Sequence, residues 1–146
     1  MTLYDDITDL TVDAGPLQYV GYHVDPAFPR DVAGIRLRFA HGAWLVGVDS
    51  DDDTVTLQKV EGTAPAGATV VDAGGLLPWA AALGKHVQWR WVLENQQGYT
   101  DALQIEFTDR VRVGSVTIQV LAIGSALRVH AVLPVETPLL VRPPAG

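Results

Sequence analysis

The chain has 146 residues, 48% of them hydrophobic, a size and composition that fit one domain with a core large enough to need no covalent staples. It contains no cysteine, which excludes a disulfide framework, a thiolate metal site and a cysteine nucleophile. The net charge of −7 is concentrated in residues 1–72, with 4 basic and 12 acidic groups against 6 and 5 in residues 73–146; such a field disfavours nucleic acid and anionic membrane as ligands and favours a basic protein or a cation. No run reaches the length of a membrane span, and the acidic start MTLYDDITDL lacks the segments of a secretory signal, so a cytoplasmic location is expected.

Leu3, Ile7 and Leu10 lie at helical spacing behind Thr2 as a cap, which predicts a short N-terminal helix. The run Leu17 to Val24 is strand-like. Asp25 to Pro29 is expected to be a loop, because two prolines oppose regular pairing. Ile35, Leu37 and Phe39 then alternate with arginines, His41-Gly42 offers a two-residue turn, and Trp44, Val46 and Val48 alternate again. Pairing Ala40 with Ala43 sets Phe39 opposite Trp44 and Leu37 opposite Val46. A turn at Asp49 to Asp53 returns the chain into Val55 and Leu57, giving a first meander over about 34–60. Residues 61–68 read as a small-residue linker, and 76–83 as a short helix stopped by Gly84.

The stretch from His86 to Phe107 is the most organised. Val87, Trp89, Trp91 and Leu93 alternate with His86, Gln88, Arg90 and Glu94, the pattern of a strand with one buried face. A three-residue loop ending in Gly98 at positive φ pairs Asn95 with Tyr99 and sets Trp91 opposite Leu103, Trp89 opposite Ile105 and Val87 opposite Phe107. Both tryptophans are then expected to be buried; exposed rings would instead make them a binding platform. Beyond it, Val116 to Ala122 and Leu127 to Leu133 alternate around a Gly124-Ser125 turn, completing a second, four-stranded meander over about 86–133. The tail from Glu136 is proline-rich and expected to be peripheral. The segments IRLRFAHGAWLVGV and LQIEF with its following strands look alike, each a strand ending in phenylalanine before a turn, which hints that the two meanders pack together. The fold expected is mainly β: antiparallel meanders forming a sandwich or partly closed barrel, with one or two short helices.

The motif Trp89-x-Trp91-x-Leu93-x-Asn95-x-Gln97-Gly98-Tyr99-x-Asp101-Ala102-Leu103 resembles the central motif of a family of small, uncharacterised bacterial proteins known only as a domain of unknown function. The resemblance implies a bacterial protein and carries over no catalytic residue.

Two clusters could carry function. Asp49, Asp51, Asp52 and Asp53 concentrate charge on one turn; Thr54 stands where a calcium loop needs glycine and Val60 where it needs a glutamate, so a solvated turn or a partner contact is favoured over a calcium site. Asn95, Gln97, Tyr99 and Asp101 bring amides, a phenol and a carboxylate to the hairpin end, where Asp101 falls on the apolar face and needs hydrogen-bond donors. His23, His41, His86 and His130 lack metal-ligand spacing, Ser115 and Ser125 lack a nucleophile context, and Gly74-Gly75 lacks a phosphate-loop pattern. No cofactor or metal is expected. The resulting expectation is a non-catalytic binding protein of the immunity type, with the acidic turn facing a protein partner such as a basic toxin. The alternative is a small-ligand-binding protein or enzyme using the Tyr99/Asp101 region.

Overall fold

The computed structural model describes residues 10, 14–61, 64, 69–109 and 114–134. The predicted N-terminal helix, apart from a buried Leu10, and the proline-rich tail lie outside them, as does most of the predicted linker. Among the described residues nine strands follow in order: β1 (Leu17–Asp25), β2 (Phe28–Phe39), β3 (Gly42–Asp49), β4 (Thr54–Val60), β5 (Thr69–Asp72), β6 (His86–Glu94), β7 (Thr100–Thr108), β8 (Val116–Ile123) and β9 (Ala126–Val132). One short helix, α1 (Trp79–Ala82), precedes β6. None of the described helices is long and apolar enough to cross a membrane.

All strands join one antiparallel sheet in the order β4-β3-β2-β9-β8-β7-β6, with β1 on the other edge of β2 and β5 beyond it. The sheet branches within β2: Val32 pairs with Leu127 of β9, whereas Gly34 to Phe39 pair with β3. The two meanders therefore leave one strand side by side and curl over each other, and β4 packs across β7 and β8. On the far side the curl is drawn together by two backbone bonds of 2.8 Å, from the Leu17 N–H to the Lys85 carbonyl and from the Gly84 N–H to the Leu17 carbonyl. The result is a curled half-barrel, within the mainly β fold that the alternation predicts.

Ile35, Leu37, Phe39, Trp44, Val46, Val55 and Leu57 from the first meander meet Leu103, Ile105, Phe107, Ile118, Val120 and Leu127 from the second in one core. Phe39 and Phe107, which end the two look-alike strands, stack at 6.5 Å between centroids. Trp44 packs edge-on against Phe39 and Trp79 edge-on against Phe107. Full burial of such a side chain contributes about 1.5–3 kcal/mol, so this aromatic centre is a main source of cohesion between the meanders. Trp79 also donates its indole N–H to the Tyr22 hydroxyl at 2.6 Å, which ties α1 to β1.

The β8–β9 hairpin has the predicted register, with Ile123 opposite Ala126 and positive φ at Gly124 and Ser125. The β2–β3 hairpin differs by two residues: Leu37 faces Trp44, Ile35 faces Val46, and the turn is Ala40-His41. The cause is tertiary, because the Ala40 and His41 N–H groups are taken by the carbonyls of Pro16 and Ala14. An even shift keeps the apolar faces together. Pro29 lies inside β2 and not in a loop, since residues 29–31 fall in an irregularity between the Asp25–Phe28 and Val24–Val32 pairs where β1 asks for no N–H. The sequence reading missed β5, four residues that pair with β1, and gave α1 an extra turn.

The predicted β6–β7 register is corrected at its centre. Glu94 faces Thr100, as the loop requires, and Val87 faces Phe107, but irregularities between Leu93 and Glu94 and between Val87 and Trp89 shift the intervening pairs by one. Asp101 is the extra residue on β7 and Gln88 the extra residue on β6. Between them Val92 pairs with Leu103 and Arg90 with Ile105, while Trp89 pairs with Glu106 and Trp91 with Gln104. A one-residue slip exchanges faces. Trp89 is accordingly 54% exposed and Trp91 40%, the reverse of the burial the simple alternation predicts.

Candidate functional site

The shifted register builds a solvent-facing surface on the second meander. One cross-strand row runs Trp89, Glu106, Thr117, Val132; the next runs Trp91, Gln104, Gln119, His130; a third runs Leu93, Ala102, Leu121, Arg128, with Ala102 covered by its neighbours. Two indoles thus stand two residues apart on the outermost strand, flanked by a carboxylate and two amides. Neither indole forms a hydrogen bond or ring contact with a described residue. The face thus carries two large, exposed aromatic side chains beside polar ones.

The rest of β6 discourages a different use of this edge. Arg90 turns inward beside Ile105, with its buried Nε atom unbonded to any described residue, and the irregularity at Gln88 interrupts the ladder. Inward charges and bulges are devices that oppose strand addition at an edge.

The hairpin loop brings Asn95, Gln97, Tyr99 and Asp101 together, and its own geometry engages the side chains of Asn95 and Asp101, whereas those of Gln97 and Tyr99 are exposed. The Asn95 side-chain oxygen accepts from the Gln97 and Tyr99 N–H groups at 2.9 and 3.2 Å. The Asn95 N–H donates to the Tyr99 carbonyl, the Gly98 N–H donates to the Asn95 carbonyl, and Gly98 has the positive φ of 84° that the loop demands. Asp101 is half-exposed and accepts from the Asn95 side-chain amide at 3.3 Å. Its donor is thus a side chain of the same loop, and the Asn95 side chain with the backbone bonds holds the loop closed.

The four acidic residues divide. Asp49 accepts from the Asp51 N–H, and Asp52 accepts from both the N–H and the hydroxyl of Thr54, so these carboxylates shape the turn at the surface. Asp53, half-buried at φ 54°, reaches across to the β8–β9 turn and accepts from the Ser125 N–H at 2.7 Å and the Gly124 N–H at 3.2 Å. That bond places the β3–β4 turn at the end of the sheet that also carries the β8–β9 turn and the β6–β7 loop. Exposed Asp49, Asp51, Asp52 and Glu94 therefore gather at one end of the molecule.

The histidines lie on separate elements and do not converge. His41 and His130 are exposed. His23 on β1 is half-buried; burial first, and the nearby Arg36 guanidinium second, push its pKa below the usual histidine value. Burial likewise raises the Tyr22 phenol, with the Trp79 hydrogen bond acting in the opposite direction. Gly74 donates to the Asp72 side chain in a local turn, and α1 is a single turn. Sequence reasoning placed both tryptophans inside because Arg90 lies on the face opposite them, and the irregularities at Gln88 and Asp101 that reverse the faces have no local signal in the alternation.

Residues 1–136 match the Family of unknown function (DUF6334), and the chain belongs to that family. No curated protein and no solved structure matches it.

Proposed function

We propose that this member of the family is a non-catalytic binding protein that docks a protein partner on the outer face of β6 to β9, with Trp89 and Trp91 as anchors. The observation that carries the reading is the exposure of two neighbouring indoles on one rigid sheet face. Tryptophan dominates binding energy at protein interfaces because it removes a large apolar area from water with few rotamers to immobilise. The charge of −7 supports a basic partner, with Asp49, Asp51 and Asp52 raising the encounter rate from the adjacent end of the molecule. These features fit a bacterial immunity protein that neutralises a basic toxin in the cytoplasm.

The test is affinity capture from a lysate of the source organism with the wild-type chain and with W89A/W91A, followed by kinetics on the captured protein. The expected result is a basic protein whose affinity falls about 30-fold or more in the double variant, as for loss of a central anchor. Its on-rate should fall with salt and in D49N/D51N/D52N, while its off-rate changes little. Capture that does not distinguish the wild type from W89A/W91A would refute the reading.

A further inference from the structure

We infer that Trp89 and Glu106 form a guanidinium site, and that the partner docked on this face presents an arginine to it. The inference rests on the docking reading above and names the chemistry that the face recognises.

Trp89 and Glu106 are direct cross-strand partners, which puts their β-carbons about 4.5–5.5 Å apart on the same side of the sheet. An indole face attracts a cation through its quadrupole, and a carboxylate beside it supplies the counter-charge and two acceptor oxygens. Glu106 is half-buried, and its neighbours along the row are the neutral Trp89 and Thr117. It forms no hydrogen bond or ion pair with a described residue. The arginine next in sequence to Trp89 cannot serve it, because Arg90 lies on the opposite face with Ile105. A carboxylate beside an indole face, with no cation from a described residue, is completed by one that arrives with the partner.

Arginine is favoured over lysine by shape. Its guanidinium is planar and weakly hydrated, stacks on aromatic rings and meets both carboxylate oxygens at once, whereas an ammonium is a strongly hydrated point charge. Trp89 and Trp91 stand about 7 Å apart along the strand, roughly twice a stacking distance, and make no ring contact with each other. A flat cation can therefore contact one indole or lie between both, with the Gln104 amide beside Trp91 available to the peptide that carries it. The negative field of the molecule acts in the same sense.

The test uses the whole chain and nitrogen-15 spectra of the Trp89 and Trp91 indole N–H groups, titrated with the peptide acetyl-Gly-Arg-Gly-Arg-Gly-amide. Matched lysine and citrulline peptides and a neutral oligosaccharide, cellopentaose, serve as comparisons. The expected result is saturable movement of both indole signals with the arginine peptide, binding at least 3-fold weaker for lysine, no saturable binding for citrulline, and a loss of at least 5-fold in E106Q, whose unchanged unfolding midpoint shows an intact fold. Equal binding of citrulline, indifference to E106Q, response to cellopentaose alone, or no response to any probe would each overturn the inference. The captured partner separates this inference from the docking reading. If E106Q keeps full affinity while W89A/W91A loses it, the guanidinium site falls and docking stands; if neither variant changes affinity, both fall.

Discussion

Replacing Asp53 should destabilise the protein although it sits in an acidic surface turn. Its carboxylate accepts the Ser125 and Gly124 N–H groups at 2.7 and 3.2 Å, joining turns 71–72 residues apart in sequence and thereby the two meanders. Hydrogen bonds to a charged group contribute about 1.5–3 kcal/mol each where water is excluded; here the turn is open and the freed N–H groups rehydrate, so the pair together is assigned about 2 kcal/mol. Asp53 also holds φ at 54°, a conformation that aspartate tolerates and alanine does not, which adds about 1 kcal/mol for Asp53→Ala. The expected order of stability loss is D53A at about 3 kcal/mol, D53G at about 2 and D53N at about 1, with D51A within about 0.5 of wild type. Urea unfolding at constant m-value would read these as midpoint shifts, and thermal unfolding as roughly 2–4 °C per kcal/mol. If D53A is no less stable than D51A, the carboxylate does not join the meanders and the reasoning is wrong.

Gly98→Ala should cost about 1 kcal/mol or more, because φ is 84° although a β-carbon would meet no atom within 4 Å; a neutral result in urea unfolding would show that the backbone relaxes without strain. The four tryptophans should divide in acrylamide quenching: Trp44 and Trp79, at 1% and 0% exposure, stay protected, and W89F/W91F removes the quenchable component. In the same contrast W44A should cost about 3–5 kcal/mol, and W89A below about 1.5. His23 should weaken the fold in acid. The unfolded chain takes up the proton as pH falls through 6.5 and the folded one only at its lower pKa, so stability declines below about 6.5 and levels off once the folded group protonates. H23Q should lose less between pH 8 and pH 5 in urea midpoints, and a parallel decline in both proteins would contradict this.

The sequence by itself determined those features whose cause is local. Gly98 and Gly124 accept left-handed backbone at no steric cost, and that tolerance set both turns; period-2 alternation gave the strands of both meanders and the antiparallel β class. It also placed Asn95, Gln97, Tyr99 and Asp101 in one loop, because they are neighbours in the chain.

The tertiary structure decided whatever depends on groups distant in sequence. The Ala40-His41 turn is set by the carbonyls of Ala14 and Pro16, which no local pattern in the hairpin records. Asp53 looks like its neighbours until the β8–β9 turn arrives to use it. The direction of Trp89 and Trp91 is the clearest case. Alternation says that Trp89, Trp91 and Leu93 share a face, and they do, but it cannot say which face is inside once a strand carries an extra residue. The core already holds Trp44, Trp79, Phe39 and Phe107, and the inward positions beside Leu103 and Ile105 are filled by Val92 and Arg90. A close-packed interior admits only the volume its opposing layer leaves, so the irregularities at Gln88 and Asp101 turn the two largest side chains of β6 outward.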